Sequence, residues 1–438
     1  MKIKKYVLVI SLVSTGLASA QVSGDSLALS DVLGQVMKNY PLLKKSEKEL
    51  DAADAKIGLT KTAYLPDVAF SASYTRIGPT TAISMPIGGA LHTLELFPPN
   101  VYSAAFSVNQ SIYDFGKTDK NLAVDQRNKE MLELNASQTK QRLSMAVMGS
   151  FYTISMLQEA IRIKDEQLKA LNEHLQFIEK RAATGSATKY DVLSTNVRVS
   201  ATENQRIDLA GALQVQASVL NSYLGRPANS PLKVRKELNS TMLVSSTDSL
   251  CNEAFANRSE LKITRQKEEI SKSKIDVVAA QNRPSLNAFA SGGFKNGYFN
   301  SRFEDTGRLN YAVGVGLKMP VFDASRSKQA KIMAKADLEA NQQDTELAKR
   351  NITNEVIENR ENALSALKKV KQSELQLQQA SQAYELAKIS FEAGSITNLD
   401  LLNANTQLSE SEFALFKAKI DYTVSLLKLK LATGGQIY

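Results

Sequence analysis

Two stretches of this chain can only be very long helices. No proline occurs between residues 100 and 226, or after residue 320. Between Lys117 and Thr184 the only glycine is Gly149, and between Arg326 and Ala393 there is none. Helix breakers are thus missing from two runs of about 68 residues, each roughly 100 Å long at 1.5 Å per residue. Apolar seams with alternating spacings of three and four run down both. They read Leu168, Leu171, Leu175, Ile178, Ala182 in the first and Leu377, Ala380, Tyr384, Ala387, Phe391 in the second. That is coiled-coil spacing. A helix of this length outruns any globular core, so partner helices must flank it from end to end.

The two runs belong to an internal duplication. Shifted by 218, Asn39, Leu43, Lys44, Lys56, Ile57, Pro66 and Ser73 fall on Asn257, Leu261, Lys262, Lys274, Ile275, Pro284 and Ser291. Shifted by 209, Tyr102, Asp114, Val147, Leu168, Gly185, Asp191, Leu193, Asn196, Leu220 and Gly225 meet Tyr311, Asp323, Val356, Leu377, Gly394, Asp400, Leu402, Asn405, Leu429 and Gly434. The register changes by nine between Tyr74 and Tyr102, so the first copy carries the longer loop there. Each copy reads as a helical stretch up to a proline, two strands joined by a loop, a long helix, a glycine-centred turn and a return helix.

The strands show period-two alternation. Leu309, Tyr311, Val313, Val315 and Leu317 share one face, while Asn310, Ala312, Gly314, Gly316 and Lys318 share the other. Val68, Phe70, Ala72 and Tyr74 alternate with Ala69, Ser71, Ser73 and Thr75, and Phe106, Val108 and Ile112 alternate with Ser107, Asn109 and Ser111. The run 286–292 alternates less clearly. Taken alone, these strands fit an ordinary soluble hairpin packed on a helix as well as a membrane wall.

Composition narrows the function classes. At 43% hydrophobic and 23% charged, 438 residues are too apolar for a disordered chain. One cysteine, Cys251, excludes an intramolecular disulfide and a cysteine-rich metal site, and His92 and His174 lie far apart. No nucleophile–base set, metal cluster or phosphate loop is visible, so neither an enzyme nor a cofactor is expected. Residues 1–20 have a basic start, an apolar run from Tyr6 to Val13 and the small triplet Ala18, Ser19, Ala20. This predicts a secretory leader cut before Gln21. No cysteine follows the cut, so no lipid anchor is expected there. Net charge is +9, or +6 once Lys2, Lys4 and Lys5 leave with the leader, and it is spread without a basic cluster, which argues against nucleic acid. The mature chain has no apolar run long enough for a transmembrane helix, so any membrane span must be made of strands.

Four strands in two hairpins cannot close a barrel, and lipid does not tolerate open edges. Three copies would pool twelve strands above a twelve-helix tube. With this order of parts, with the junctions Ser111-Ile112-Tyr113-Asp114-Phe115-Gly116 and Met319-Pro320-Val321-Phe322-Asp323, and with the two turns at 185–191 and 394–400, the sequence resembles the TolC family of bacterial outer-membrane efflux proteins over essentially the whole mature chain. The resemblance implies an α+β membrane protein whose four strands contribute to a 12-stranded trimeric β-barrel in the outer membrane, continuous with a long periplasmic α-helical barrel. It implies a homotrimer in outer-membrane lipid, meeting a periplasmic adaptor and an inner-membrane pump of the RND, ABC or MFS type. The function implied is an exit duct for efflux or type I secretion. The competing reading is a secreted, soluble coiled-coil structural or adhesive protein.

The expected organisation is a leader (1–20), leading helices (21–66), a first hairpin (67–115) with outward loop 78–100, and a long helix, tip turn 184–191 and return helix (116–225). A linker (226–248) precedes the second leading helices (249–284), hairpin (285–323, outward loop 296–307), long helix, tip 393–400 and return helix (324–434), and a tail (435–438). The outward loop 78–100 would narrow the outer opening or meet external agents. Glycine ends each long helix, and Thr or Asn near the next start can cap it. The resemblance makes Gly185, Ser186, Ala187, Gly394, Ser395 and Ile396 the adaptor-docking tips. It maps a mouth-closing network onto Tyr190, Asp191, Phe391 and Ile396, where Ile396 replaces an arginine of known members and leaves no ion-pair latch. It also maps two acidic rings onto Asp400 and Asn403. Three Asp400 carboxylates around a pore would favour cations, although a first-turn acid is equally what a helix dipole favours.

Overall fold

The computed structural model describes residues 26–95, 97–238, 245–299 and 305–437. The predicted leader and Tyr438 lie outside the described residues. The first repeat begins with α1 (Leu29–Asn39) and α2 (Pro41–Lys61). Pro41 stands at the first turn of α2, where its missing N–H is no loss. Strands β1 (Asp67–Arg76), β2 (Ala82–Ile87), β3 (Ala90–Glu95) and β4 (Asn100–Tyr113) follow, then α3 (Lys117–Ala183) and α4 (Lys189–Leu224). The second repeat has α5 (Thr247–Asn257), α6 (Ser259–Ala280), β5 (Ser285–Phe299), β6 (Asp305–Lys318), α7 (Arg326–Glu392) and α8 (Asn398–Ala432).

Helices α3 and α7 are each 67 residues long. Shorter helices cover each of them in succession. Helix α2 lies along the upper part of α3 and α4 along the lower, while α6 and α8 do the same for α7. Contacts between α3 and α6 above, and between α3 and α8 below, join the two repeats into a slab four helices wide at either level. Burial along the expected seams follows: Leu171, Ile178, Ala380 and Phe391 are buried. Among the described residues no helix is long and apolar enough to cross a membrane.

The main core sits midway. Leu29, Val32, Leu33 and Val36 of α1 pack on Leu143, Val147, Met148, Phe151 and Ile154 of α3, with Leu220 and Leu224 of α4 and Ile420 of α8. The linker joins it through Val234. Leu27 donates its N–H to the Lys233 carbonyl at 3.0 Å and accepts from Arg235 N–H at 2.8 Å. Where the second repeat meets its core, Arg258 is buried and grips the Glu355 carboxylate with two nitrogens at 3.0 and 2.7 Å, and Glu260 at 2.9 Å.

Strands β1, β4, β5 and β6 form one antiparallel four-stranded sheet in the order β1-β4-β5-β6, the two expected hairpins side by side. Strand β5, the run whose alternation was weak, is the longest at 15 residues. Rungs on one face read Ala72–Ala104–Phe294–Leu309, Phe70–Phe106–Gly292–Tyr311 and Val68–Val108–Ala290–Val313. On the other they read Ser71–Ala105–Gly293–Asn310 and Ala69–Ser107–Ser291–Ala312. The first face is apolar and open to its surroundings: Leu309 and Tyr311 are each 87% exposed. The second is small and polar apart from Phe289, whose ring lies over Gly314. A bulge between Ser111 and Tyr113 sets Tyr113 opposite Leu286, so the face expected to continue through Ile112 continues through Tyr113. The segment 78–100, expected as an outward loop, is not bare loop. It contains the two-stranded hairpin β2–β3, turned by Gly88 and Gly89 at φ 64° and 89°.

Candidate functional site

Both strand-to-helix junctions are built alike. Phe115 and Gly116 take left-handed φ of 55° and 85°, and 209 residues on, Ala324 and Ser325 take 52° and 65°. An aspartate stabilises each helix start. Asp114 accepts from Gly116 N–H at 2.9 Å and Thr118 N–H at 2.7 Å, and Asp323 accepts from Ser327 N–H at 3.1 Å and Asn282 Nδ2 at 2.7 Å. The Ser327 hydroxyl and Asn282 amide pull the Asp323 carboxyl down to about 2. Partial burial pushes Asp114 upward, yet the hydrogen bonds from Thr118, Gly116 and Lys117 outweigh it and leave that carboxyl below its ordinary value.

The helical tips at the far end repeat this duplication. Gly185 (φ 78°) and Gly394 (φ 73°) end α3 and α7. Ser186 N–H reaches back to the Arg181 carbonyl and Ser395 N–H to the Ser390 carbonyl, both at 2.8 Å, closing the last turns. Each return helix then starts with a capping box. The Asp191 carboxylate accepts from Thr188 N–H at 2.9 Å and its hydroxyl at 2.7 Å. Asp400 accepts from Thr397 N–H at 2.9 Å and its hydroxyl at 2.6 Å. The Thr397 hydroxyl and N–H hold the Asp400 carboxyl below its usual value, so it is ionised at neutral pH.

Six of the expected site residues converge on one cavity between the tips: Asp191, Phe391, Ile396, Ser186, Ala187 and Gly394. Tyr190 stands apart, 70% exposed on α4. Gly185 and Ser395 form the exposed turns. Asn403 accepts from Arg198 Nη2 at 3.2 Å, which links α8 to α4. Phe391 is buried with Ile178 and Leu401, and Ile396 packs against them, so Ile396 is part of an apolar contact.

The contacts that bind the two tips together involve residues the sequence did not single out. Asn398, only 4% exposed, donates from Nδ2 to the Asp191 carbonyl at 3.2 Å and the Thr195 hydroxyl at 3.0 Å, while its Oδ1 meets His174 Nε2 at 2.6 Å. Since Nδ2 is the donor, Oδ1 accepts and the His174 proton lies on Nε2. Arg181 lays its guanidinium over the rings of Phe177 and Phe391, at 5.7 and 5.6 Å. One polar residue of the second repeat thus fastens two helices of the first.

The family described as outer membrane efflux protein matches residues 32–226 and 250–435. Outer membrane protein TolC of Vibrio cholerae is 22% identical over 434 residues, covering 96% of this chain and 93% of that protein. The alkaline protease secretion protein AprF of Pseudomonas aeruginosa is 23% identical over 420 residues, covering 93% of this chain and 85% of that protein. In fold, the chain is similar to the Campylobacter jejuni CmeC outer membrane channel, with a TM-score of 0.76 at 15% identity, over 99% of this chain and 94% of that one. Because the match takes in both repeats from the first helix to the last, the chain belongs to the outer membrane efflux protein family, a transport family of the outer membrane whose helical part lies in the periplasm.

Proposed function

We propose that three copies of this chain close into a 12-stranded barrel in outer-membrane lipid, continued by a periplasmic helical tunnel, and that this conduit is the exit duct of a tripartite efflux or type I secretion system. Its tips, around Gly185, Ser186, Ala187, Gly394, Ser395 and Ile396, receive a periplasmic adaptor. Cargo comes from an inner-membrane pump of the RND, ABC or MFS type. Asp191, Phe391 and Ile396 border the mouth from within, Tyr190 faces the neighbouring copy, and Asp400 and Asn403 set its charge.

The supporting observation is the sheet. Its apolar face is exposed, its other face is small and polar apart from Phe289, and among the described residues both edge strands, β1 and β6, lack an outer partner. A soluble coiled-coil protein has no use for such a face in water, whereas lipid demands it and forbids the edges. A further line of support runs down the helices. Tyr190, Leu193 and Val197 form an exposed apolar stripe at the start of α4, Val215 is exposed further along it, and Leu386 and Ile389 are exposed on α7. Neighbouring copies would cover them.

Protein extracted from outer membranes in mild detergent should have the mass of three chains and form conducting pores in planar bilayers. A folded, complete monomer overturns the reading. The adaptor contact is tested by a photoreactive residue at Ser395, which should capture a periplasmic hairpin protein in cells.

A further inference from the structure

We propose that the two open edges of the sheet are the two halves of one seam. Strand β6 of one copy pairs with β1 of the next in the register that β4 and β5 already use inside the chain, which sets Gly316 opposite the partner's Ser73. This rests on the three-copy reading above and adds to it which residues meet.

The duplication supplies the template. A shift of 218 takes a β1 residue to its β5 counterpart, and a shift of 209 takes a β4 residue to its β6 counterpart. The hairpin registers obey both shifts: Asp67↔Asn109 becomes Ser285↔Lys318, and Tyr74↔Tyr102 becomes Gly292↔Tyr311. Strand β6 is therefore a β4 without its β5, and β1 is a β5 without its β4. Exposure agrees. With a strand on each side, β4 is half-buried along most of its length, while β6 is exposed along most of its length and β1 throughout. Each edge offers what the other lacks, a row of unpaired N–H and C=O groups.

Carried across by these shifts, the β4–β5 pairs Ser107↔Ser291, Phe106↔Gly292 and Val108↔Ala290 place Gly316, Val315 and Leu317 opposite the partner's Ser73, the partner's Tyr74 and the partner's Ala72. The faces then match. Val315 and Leu317 meet residues of the apolar face, and Gly316 meets a residue of the small, polar one. A slip of one residue would set the apolar face of one strand beside the polar face of the next. A slip of two keeps the faces and is the competing register. Past the bulge in β4, Tyr113 opposes Leu286, and the same step sets Phe322, 87% exposed in the single chain, beside the partner's Val68.

Cysteine pairs read the register directly. In a Cys251→Ser chain, Ser73→Cys with Gly316→Cys bridges the seam on the polar face, and Ala72→Cys with Leu317→Cys bridges it on the apolar face, so both hydrogen-bonding classes of residue pair are sampled. A Cβ at Gly316 meets nothing within 4 Å. The two edges of one chain lie three strand spacings apart, roughly 14 Å, too far for a disulfide within a copy. After oxidation in outer membranes, at least one of these pairs should run as a covalent trimer that reducing agent returns to single chains. Its yield should exceed several-fold that of the pairs slipped by two: Gly316→Cys with Ser71→Cys or Thr75→Cys, and Leu317→Cys with Phe70→Cys or Tyr74→Cys. A trimer of normal mass whose crosslinks are strongest in a slipped pair, or absent from every pair, overturns the register and leaves the duct reading standing. Covalent dimers from Gly316→Cys alone mean that β6 pairs with β6 of another copy. Such dimers, or a protein that stays monomeric, overturn the register and the duct reading together.

Discussion

The two strand-to-helix junctions perform the same turn with different residues, and only one of them has glycine where it helps. Ser325 occupies at φ 65° the place that Gly116 occupies at 85°. A left-handed non-glycine residue costs roughly 1–2 kcal/mol, partly offset by the extra freedom glycine has in the unfolded chain. Ser325→Gly should therefore raise stability by about 0.5–1 kcal/mol in denaturant unfolding, and Gly116→Ala should lower it by a similar amount. Asp323 gives a pH signature. Its carboxyl is depressed from 3.8 to about 2. A depressed acid stabilises the fold fully above its unfolded value, and that contribution is lost as pH falls through the folded one. Asp323→Asn should be less stable at neutral pH, and its stability should change less between pH 4 and pH 2 than that of the parent. These pairings were half legible in the sequence. The duplication aligned Asp114 with Asp323, but dihedral angles leave no mark when Phe-Gly and Ala-Ser fill the same turn.

At the scale of elements, local chemistry decided how much could be read. Long helices and strand faces are written in spacing, so the 67-residue helices and the faces of β1 and β6 were visible. Strand β5 was not clear, because Ser291, Gly292 and Gly293 interrupt its alternation. Its neighbours on both sides hold it instead, with β4 so close that a Cβ on Gly293 would clash with the Ala104 carbonyl oxygen. Gly293→Val should therefore prevent the sheet from forming, seen as loss of heat-modifiable gel mobility and protease resistance. The β2–β3 hairpin was hidden by Pro79, Pro86, Pro98 and Pro99, which read as loop even though Gly88-Gly89 is a hairpin turn. Asn398 was invisible for another reason: its partner His174 lies 224 residues away. Asn398→Leu should strand His174 Nε2, since the Thr195 hydroxyl keeps its bond to the Asp191 carbonyl at 2.8 Å, costing about 1–3 kcal/mol locally. Hydrogen exchange should then rise at both tips while the α1 core stays protected.

For the whole molecule, the sequence disclosed the duplication, while the joining of the repeats came from contacts far apart in the chain. Within the second repeat Arg258 makes contacts of the same kind, where α6 begins against Glu355 of α7 and the Ala432 carbonyl of α8. Arg258→Met should cost about 2 kcal/mol, because it leaves a carboxylate beside buried apolar groups. Its effect on thermal unfolding should exceed that of Lys48→Met, whose partner Asp51 is a neighbour on one exposed helix.

The equal length of α3 and α7 acts as a ruler. A heptad inserted in one of them would carry its tip about 10 Å beyond the other, pull Asn398 out of reach of His174 and Thr195, and leave the mouth lopsided. The reach of such a protein across its compartment can therefore change only in matched steps, with the same number of turns added to both long helices and to the helices that clothe them.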